Sequence, residues 1–235
     1  MGFAPKFIFQ DGCFLYRGEV NSNELHSNAA YQVAISADPN SKISVSDKNG
    51  DDFVGQIILI KSLAKHKIKC DSGITVIFLS PDSNWVLNVL KHIDQGQIAT
   101  LNDDILPFKK DCELSAIGKI VREIDLSPEF KIDPRLSAAI DDLDSDLVNA
   151  SILETANRCN LSRSRLRALA REQLGVSLAT LLIWRKIVTA NKALSTGVSL
   201  SEAAFIGGFS DQAHFSRTMK RMFGITPTGA LKVYT

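Results

Sequence analysis

Hydrophobic and polar positions change their rhythm partway along the chain. Up to about Pro81, short runs rich in Val and Ile (Tyr31–Ser36, Lys42–Ser46, Gln56–Lys61 and Ile74–Ser80) alternate with clusters such as Asp38-Pro39-Asn40 and Lys48-Asn49-Gly50-Asp51. Runs of roughly four to eight residues bounded by Gly, Pro, Asn and Asp predict strands. Many short strands at this spacing predict a barrel or sandwich rather than a parallel sheet. After Asp82 the period lengthens. Within Asp82–Ile93, Val86, Leu90 and Ile93 share one helical face, and within Asp111–Asp125 the residues Leu114, Ile117, Val121 and Ile124 do the same. That second stripe must bury against the barrel or against a second subunit, which makes these four residues the candidate dimer contact. The stretch Asp125–Pro134 holds two prolines and changes of charge and reads as a linker. Beyond it the chain reads as helices broken by short turns.

The C-terminal half contains a copy of itself. At an offset of 48, Ser151, Ile152, Glu154, Ala156, Leu161 and Ser162 match Ser199, Leu200, Glu202, Ala204, Phe209 and Ser210. One residue is then gained, and at an offset of 49 Leu166, Arg171, Gly175, Val176 and Ser177 match Phe215, Lys220, Gly224, Ile225 and Thr226. Each copy has the parts of a helix-turn-helix. Ser151/Glu154 and Ser199/Glu202 fit a capping box, in which Ser accepts from an orphan N–H and Glu reaches back. A small alanine (Ala156, Ala204) lets a second helix cross closely. The turns Cys159-Asn160-Leu161 and Gly207-Gly208-Phe209 offer Asn or Gly, which tolerate positive φ. A serine then opens a longer helix, Ser162–Leu174 or Ser210–Phe223. Gly175 and Gly224 follow where a left-handed cap belongs, and Thr226-Pro227 starts a last helix with Pro in its first turn.

Charge divides the chain in the same way. Leu147 to Thr235 carries 12 Lys/Arg against 4 Asp/Glu, whereas Met1 to Asp146 carries 15 against 22. A basic half beside an acidic one is what a nucleic-acid reader tethered to another module would show. Cys13, Cys70, Cys112 and Cys159 form no C-x-x-C pair, so neither a structural zinc site nor a disulfide framework is expected. No apolar run is long enough for a signal peptide or a membrane span, so a cytoplasmic protein with reduced thiols is expected.

The run from Ser201-Glu202-Ala203-Ala204 through Gly207-Gly208-Phe209-Ser210-Asp211-Gln212-Ala213-His214-Phe215-Ser216-Arg217, then Lys220-Arg221 and Gly224-Ile225-Thr226-Pro227, resembles the signature of the AraC family of bacterial transcription regulators (AraC/XylS type). Leu161-Ser162 through Gly175-Val176-Ser177 resembles its first motif more loosely, with Ala170 and Met219 where the family has aromatics and Ala168 where it often has Arg. The resemblance covers about Asp133 to Thr235. It implies an α+β chain of two domains: a small cupin-like β-barrel with following helices (residues 1–126), a linker (127–134), and an all-α DNA-binding domain with two helix-turn-helix motifs (135–235). The two motifs would be joined by a long helix over about Leu178–Ser195 and would read successive major-groove segments, which helical pitch sets roughly 34 Å apart.

On the family's pattern, Ser164, Arg167, Gln212, Ala213, Ser216 and Arg217 are the base-edge candidates. Arg suits guanine, Gln suits adenine, and an Ala methyl suits thymine. Arg163, Arg165, Arg171, Arg185, Lys220 and Arg221 are the phosphate candidates. The implied partners are double-stranded DNA, RNA polymerase, a small-molecule effector and a second copy of the chain. Activation is the commoner outcome in the family. Two other readings stay open: a front domain that only dimerises or docks a partner, and a cupin-type metal enzyme with a helical appendage. Against the latter, only His26, His66 and His92 fall in the first domain, with no His-x-His pair. No cofactor or metal is expected, and no nucleophile triad or phosphate loop is evident.

Overall fold

The computed structural model describes residues 6–10, 13–90, 96–107, 112–125, 132–223 and 226–228. The first part is built from β1 (Lys6–Gln10), β2 (Cys13–His26), β3 (Tyr31–Ser36), β4 (Ile43–Asp47), β5 (Asp52–Gly55), β6 (Ile57–Ile60), β7 (His66–Leu79) and β8 (Ile98–Thr100), with α1 (Asn84–Leu90) and α2 (Leu114–Asp125). The order β1-β2-β7-β3-β6-β8 is antiparallel throughout, and β4 with β5 branches from the first half of β7. The branch curls until Gly55 at the end of β5 lies against Thr100 of β8, with no room for a Cβ between them. The result is a nearly closed barrel, as the alternation of short strands and turns predicts.

The central strands have apolar residues in succession because both of their faces are covered. On the concave side Ala34, Ile58, Ile60, Val76 and Phe78 meet Ile43 and Val45 from the branch. On the convex side Leu15, Val33, Ile35, Leu59 and Ile77 are roofed by α1 and α2. This roof corrects the dimer expectation. Leu114, Ile117 and Val121 are at most 3% exposed and Ile124 packs on the same cluster, so the stripe is spent inside the chain. Burying a large aliphatic side chain is worth about 1.5–3 kcal/mol, and the sheet offers that burial without a partner. Asp125 fastens the arrangement by accepting from Ser83 Oγ (2.8 Å) and the Asn84 backbone N–H (2.9 Å) at the start of α1.

The second part is helical: α3 (Pro134–Ser145), α4 (Ile152–Arg158), α5 (Arg163–Leu174), α6 (Leu178–Ser195), α7 (Leu200–Ile206) and α8 (Gln212–Phe223). Helix α3 starts with Pro in its first turn after Asp133, whose carboxylate accepts from the Arg135 backbone N–H (2.9 Å). Most of the proposed linker, residues 127–131, lies outside the described residues, as do His92, Ile93, Gly224 and Ile225. Strands β1, β2, β5 and β8 are additions to the sequence expectation.

Candidate nucleic-acid interface

The two motifs form as the repeat requires. Ser151 Oγ accepts from the Glu154 backbone N–H (3.4 Å) at the start of α4, and Ser199 Oγ from that of Glu202 (3.2 Å) at the start of α7. Each short helix then ends in a left-handed residue, Asn160 at φ +52° and Gly208 at φ +72°. Ala156 and Ala204 are fully buried where the paired helices cross, and Leu166 and Phe215 fill the same place in the two longer helices. Ser162 Oγ caps α5 through the Arg165 N–H (3.2 Å), and Gly175 closes it at φ +71°.

One cap differs from expectation. Asp211, not Ser210, opens α8, accepting from the His214 N–H at 2.6 Å. That bond holds the Asp211 carboxyl below the usual carboxylate range. The gained residue is therefore Ser210, and Ser162 corresponds to Asp211 at the offset of 49. A carboxylate suits this place because helix N-termini carry unpaired N–H groups and partial positive charge.

Helices α5 and α8 are the second, longer helices of the two motifs. Their buried stripes, Leu166, Leu169, Ala170 and Leu174 in α5 and Phe215, Thr218, Met219 and Met222 in α8, fix which faces turn outward. Arg163, Ser164, Arg165, Arg167 and Arg171 are exposed on α5, and Gln212, Ala213, Arg217, Lys220 and Arg221 on α8; Ser216 is half-buried beside them. Between these two helices runs α6, 18 residues long, or about 27 Å at 1.5 Å per residue. Lys186 on α6 is tied to the second turn, donating to the Gly208 carbonyl at 2.8 Å.

Arg185 is placed elsewhere. Its guanidinium meets Asp144 of α3 at 3.1 Å and, across the domain boundary, Asp82 at 2.5 Å and Ser80 Oγ at 2.9 Å. Its side chain is 23% exposed. Burial alone would lower its affinity for the proton, but the two carboxylates outweigh burial and raise it. The residue is a junction between domains in place of the phosphate contact expected from its charge. Sequence offered no signal for this, since Asp82 is 103 positions away.

The barrel's histidines are also committed. His66 Nδ1 donates to the Ala64 carbonyl (2.9 Å), which leaves Nε2 to accept from Gln32 (3.2 Å). Burial, and then the nearby His26 ring at 4.3 Å, lowers the His66 pKa to about 4, so His66 is held neutral. Among the described residues no group of three or more His, Cys, Asp or Glu is placed to hold a metal ion, and no helix is long and apolar enough to cross a membrane.

Residues 155–232 match the family model of a helix-turn-helix domain. Three solved structures of ToxT from Vibrio cholerae match nearly the whole chain. Apo ToxT of a variant from strain SCE256 is 13% identical with a TM-score of 0.61, covering 97% of this chain and 99% of that one. ToxT from strain O395 bound to (E)-4-(8-methylnaphthalen-1-yl)but-3-enoic acid is 19% identical with a TM-score of 0.59 over 97% and 99%. Wild-type ToxT with bound unsaturated fatty acid is 15% identical with a TM-score of 0.56 over 100% and 96%. No curated protein matches the chain. The molecule thus has the fold of the AraC/XylS type: a barrel domain followed by a domain of two helix-turn-helix motifs. That fold is similar to the fold of ToxT over nearly the whole chain.

Proposed function

We propose that the protein is a sequence-specific DNA-binding transcription regulator. It reads successive major-groove segments with α5 and α8, and its barrel controls that reading through a small-molecule effector. The observation that carries the DNA-binding part is the repeated geometry. Two capped, outward-facing helices with seven exposed Arg and Lys between them stand on one helical scaffold. Ser164, Arg167, Gln212, Ala213, Ser216 and Arg217 are the base-reading set. Arg163, Arg165, Arg171, Lys220 and Arg221 hold phosphates, and the bound protein engages RNA polymerase.

Effector control is supported by the unsaturated fatty acid bound to ToxT of the same fold. Selection of bound duplexes from a random pool tests DNA reading, with one enriched motif of two half-sites expected. The absence of any enrichment over competitor would overturn it. Oleic acid is the probe for the barrel. A ligand at a hundredfold excess over its Kd stabilises by about 2.7 kcal/mol, so a rise in Tm is expected. An unchanged Tm removes the fatty-acid part and leaves DNA reading standing.

A further inference from the structure

One end of the barrel sheet touches the helical domain at three separated places. Tyr31, at the start of β3, donates its hydroxyl to the carbonyl of Leu174, the last residue of α5, at 3.2 Å. The last carbonyls of a helix have no partner within it, so this one is a natural handle. The next residue, Gly175, leaves room for the phenol: a Cβ there would stand 2.5 Å from the Tyr31 hydroxyl. Phe223, the last residue of α8, meets Phe14 of β2 and Phe78 of β7 edge-on, with centroids 5.7 and 5.2 Å away. Midway along α6, Trp184 lies 6.0 Å from Phe223, and Arg185 binds Ser80 and Asp82 just beyond β7.

Leu174 and Phe223 occupy the same position of the repeat, at the offset of 49. Their barrel partners also lie side by side, since Phe14 pairs with Phe78 and Tyr31 pairs with Leu79 in the sheet. The segments joining α6 to each motif contain glycines at positive φ, Gly175 at +71° and Gly197 at +90°. These are the joints about which α6 would pivot, and the sheet end bridges the structure across both. The exposed faces of α5 and α8 remain open while it does so.

We infer that this sheet end is a three-point mount that sets the separation and tilt of the two readers, so that Tyr31, Phe14 and Phe78 are positioning residues for half-site spacing. The inference rests on the DNA-binding reading above. B-DNA ties distance to rotation, with roughly 34 Å per turn of about 10.5 base pairs, so one inserted base pair displaces and rotates a half-site together. A rigid pair of readers would refuse such a change, and a pair freed from the mount would follow it.

The test uses the full chain and the duplex selected by the wild type, with one base pair inserted or deleted between the half-sites. Wild type is expected to lose on the order of tenfold in affinity for either change. The Tyr31→Phe/Phe78→Leu double variant is expected to lose less than about threefold and to keep its base preference within each half-site. Equal steepness in a folded double variant overturns the mount. If that variant does not fold, Tyr31→Phe alone keeps the ring and removes only the hydrogen bond. It should then show an intermediate penalty, and a wild-type penalty overturns the inference. A wild type that selects no duplex overturns the DNA-binding reading itself, which is a different result from a variant that binds with unaltered spacing.

Discussion

In the first motif the tight turn is made by Asn160 at φ +52°, in the second by Gly208 at φ +72°. The difference lies in the surroundings. A Cβ at Gly208 would stand 2.8 Å from the Leu147 carbonyl, a backbone atom that cannot rotate away. The longer helices differ in the same instructive way. At equivalent positions Arg163, Ser164, Arg167, Ala168 and Arg171 of α5 face Gln212, Ala213, Ser216, Arg217 and Lys220 of α8. The buried positions stay apolar or close to it while the exposed ones are rewritten. Backbone conformation and inward packing are therefore what the duplication preserved, and the outward face is where the two copies specialise. The outward face of α5 is mostly Arg, a residue suited to phosphate and to guanine; that of α8 mixes amide, methyl and charge.

Exchange at the turn should give the largest effect. Gly208→Asn, which installs the residue used by the first motif, is expected to cost about 2–3 kcal/mol in denaturant unfolding because of the blocked Cβ. Asn160→Gly should stay within about 1 kcal/mol. Equal costs would show the two turns to be interchangeable. Next, Arg167→Ala should lose about 1–3 kcal/mol on the selected duplex, and the equivalent Ser216→Ala less than about 1 kcal/mol; titration of both against matched and mismatched duplexes decides which reader dominates. A smaller signal lies in salt. Arg171→Ala and Lys220→Ala, at one repeat position, should each reduce the log–log salt slope of binding by about 1, and Gln212→Ala should leave it unaltered.

The smallest effect concerns the caps. The His214 N–H bond depresses the Asp211 pKa in the fold, so its contribution is present above the ordinary carboxylate range and lost as pH falls through the folded value. The Ser162 cap has no titratable group. Amide exchange, corrected for its intrinsic pH dependence, should show the first turn of α8 losing protection between neutral and strongly acidic pH while α5 does not. Parallel behaviour of the two turns would remove the distinction.

Elements whose cause is local were legible in the sequence. Helices α4 to α8 announce themselves through caps, an alanine crossing and left-handed closures, and β3 through an apolar run between turns. The exposed faces of α5 and α8 follow directly, because the buried stripe of a helix fixes its other side. Three misses share one physical origin. The stripe of α2 says only that it is buried, not whether sheet or subunit covers it. Arg185 reads as a free cation because Asp82 and Asp144 lie far along the chain. Ser210 and Asp211 are both good caps, and only the path of the preceding turn chooses between them. Nothing local marks Tyr31 as a partner of Leu174, 143 residues away.

Packed side chains, and not the chain connection alone, join the two domains. The same apolar cluster contains Ile43 and Val45 inside the barrel, Phe14 and Phe78 at its rim, and Trp184 and Phe215 among the helices. Heat therefore meets a shared interior, and neither domain can melt without exposing the other's apolar surface to water. Calorimetry should register a single endotherm whose van't Hoff and measured enthalpies agree, as for one cooperative unit rather than two beads on a string.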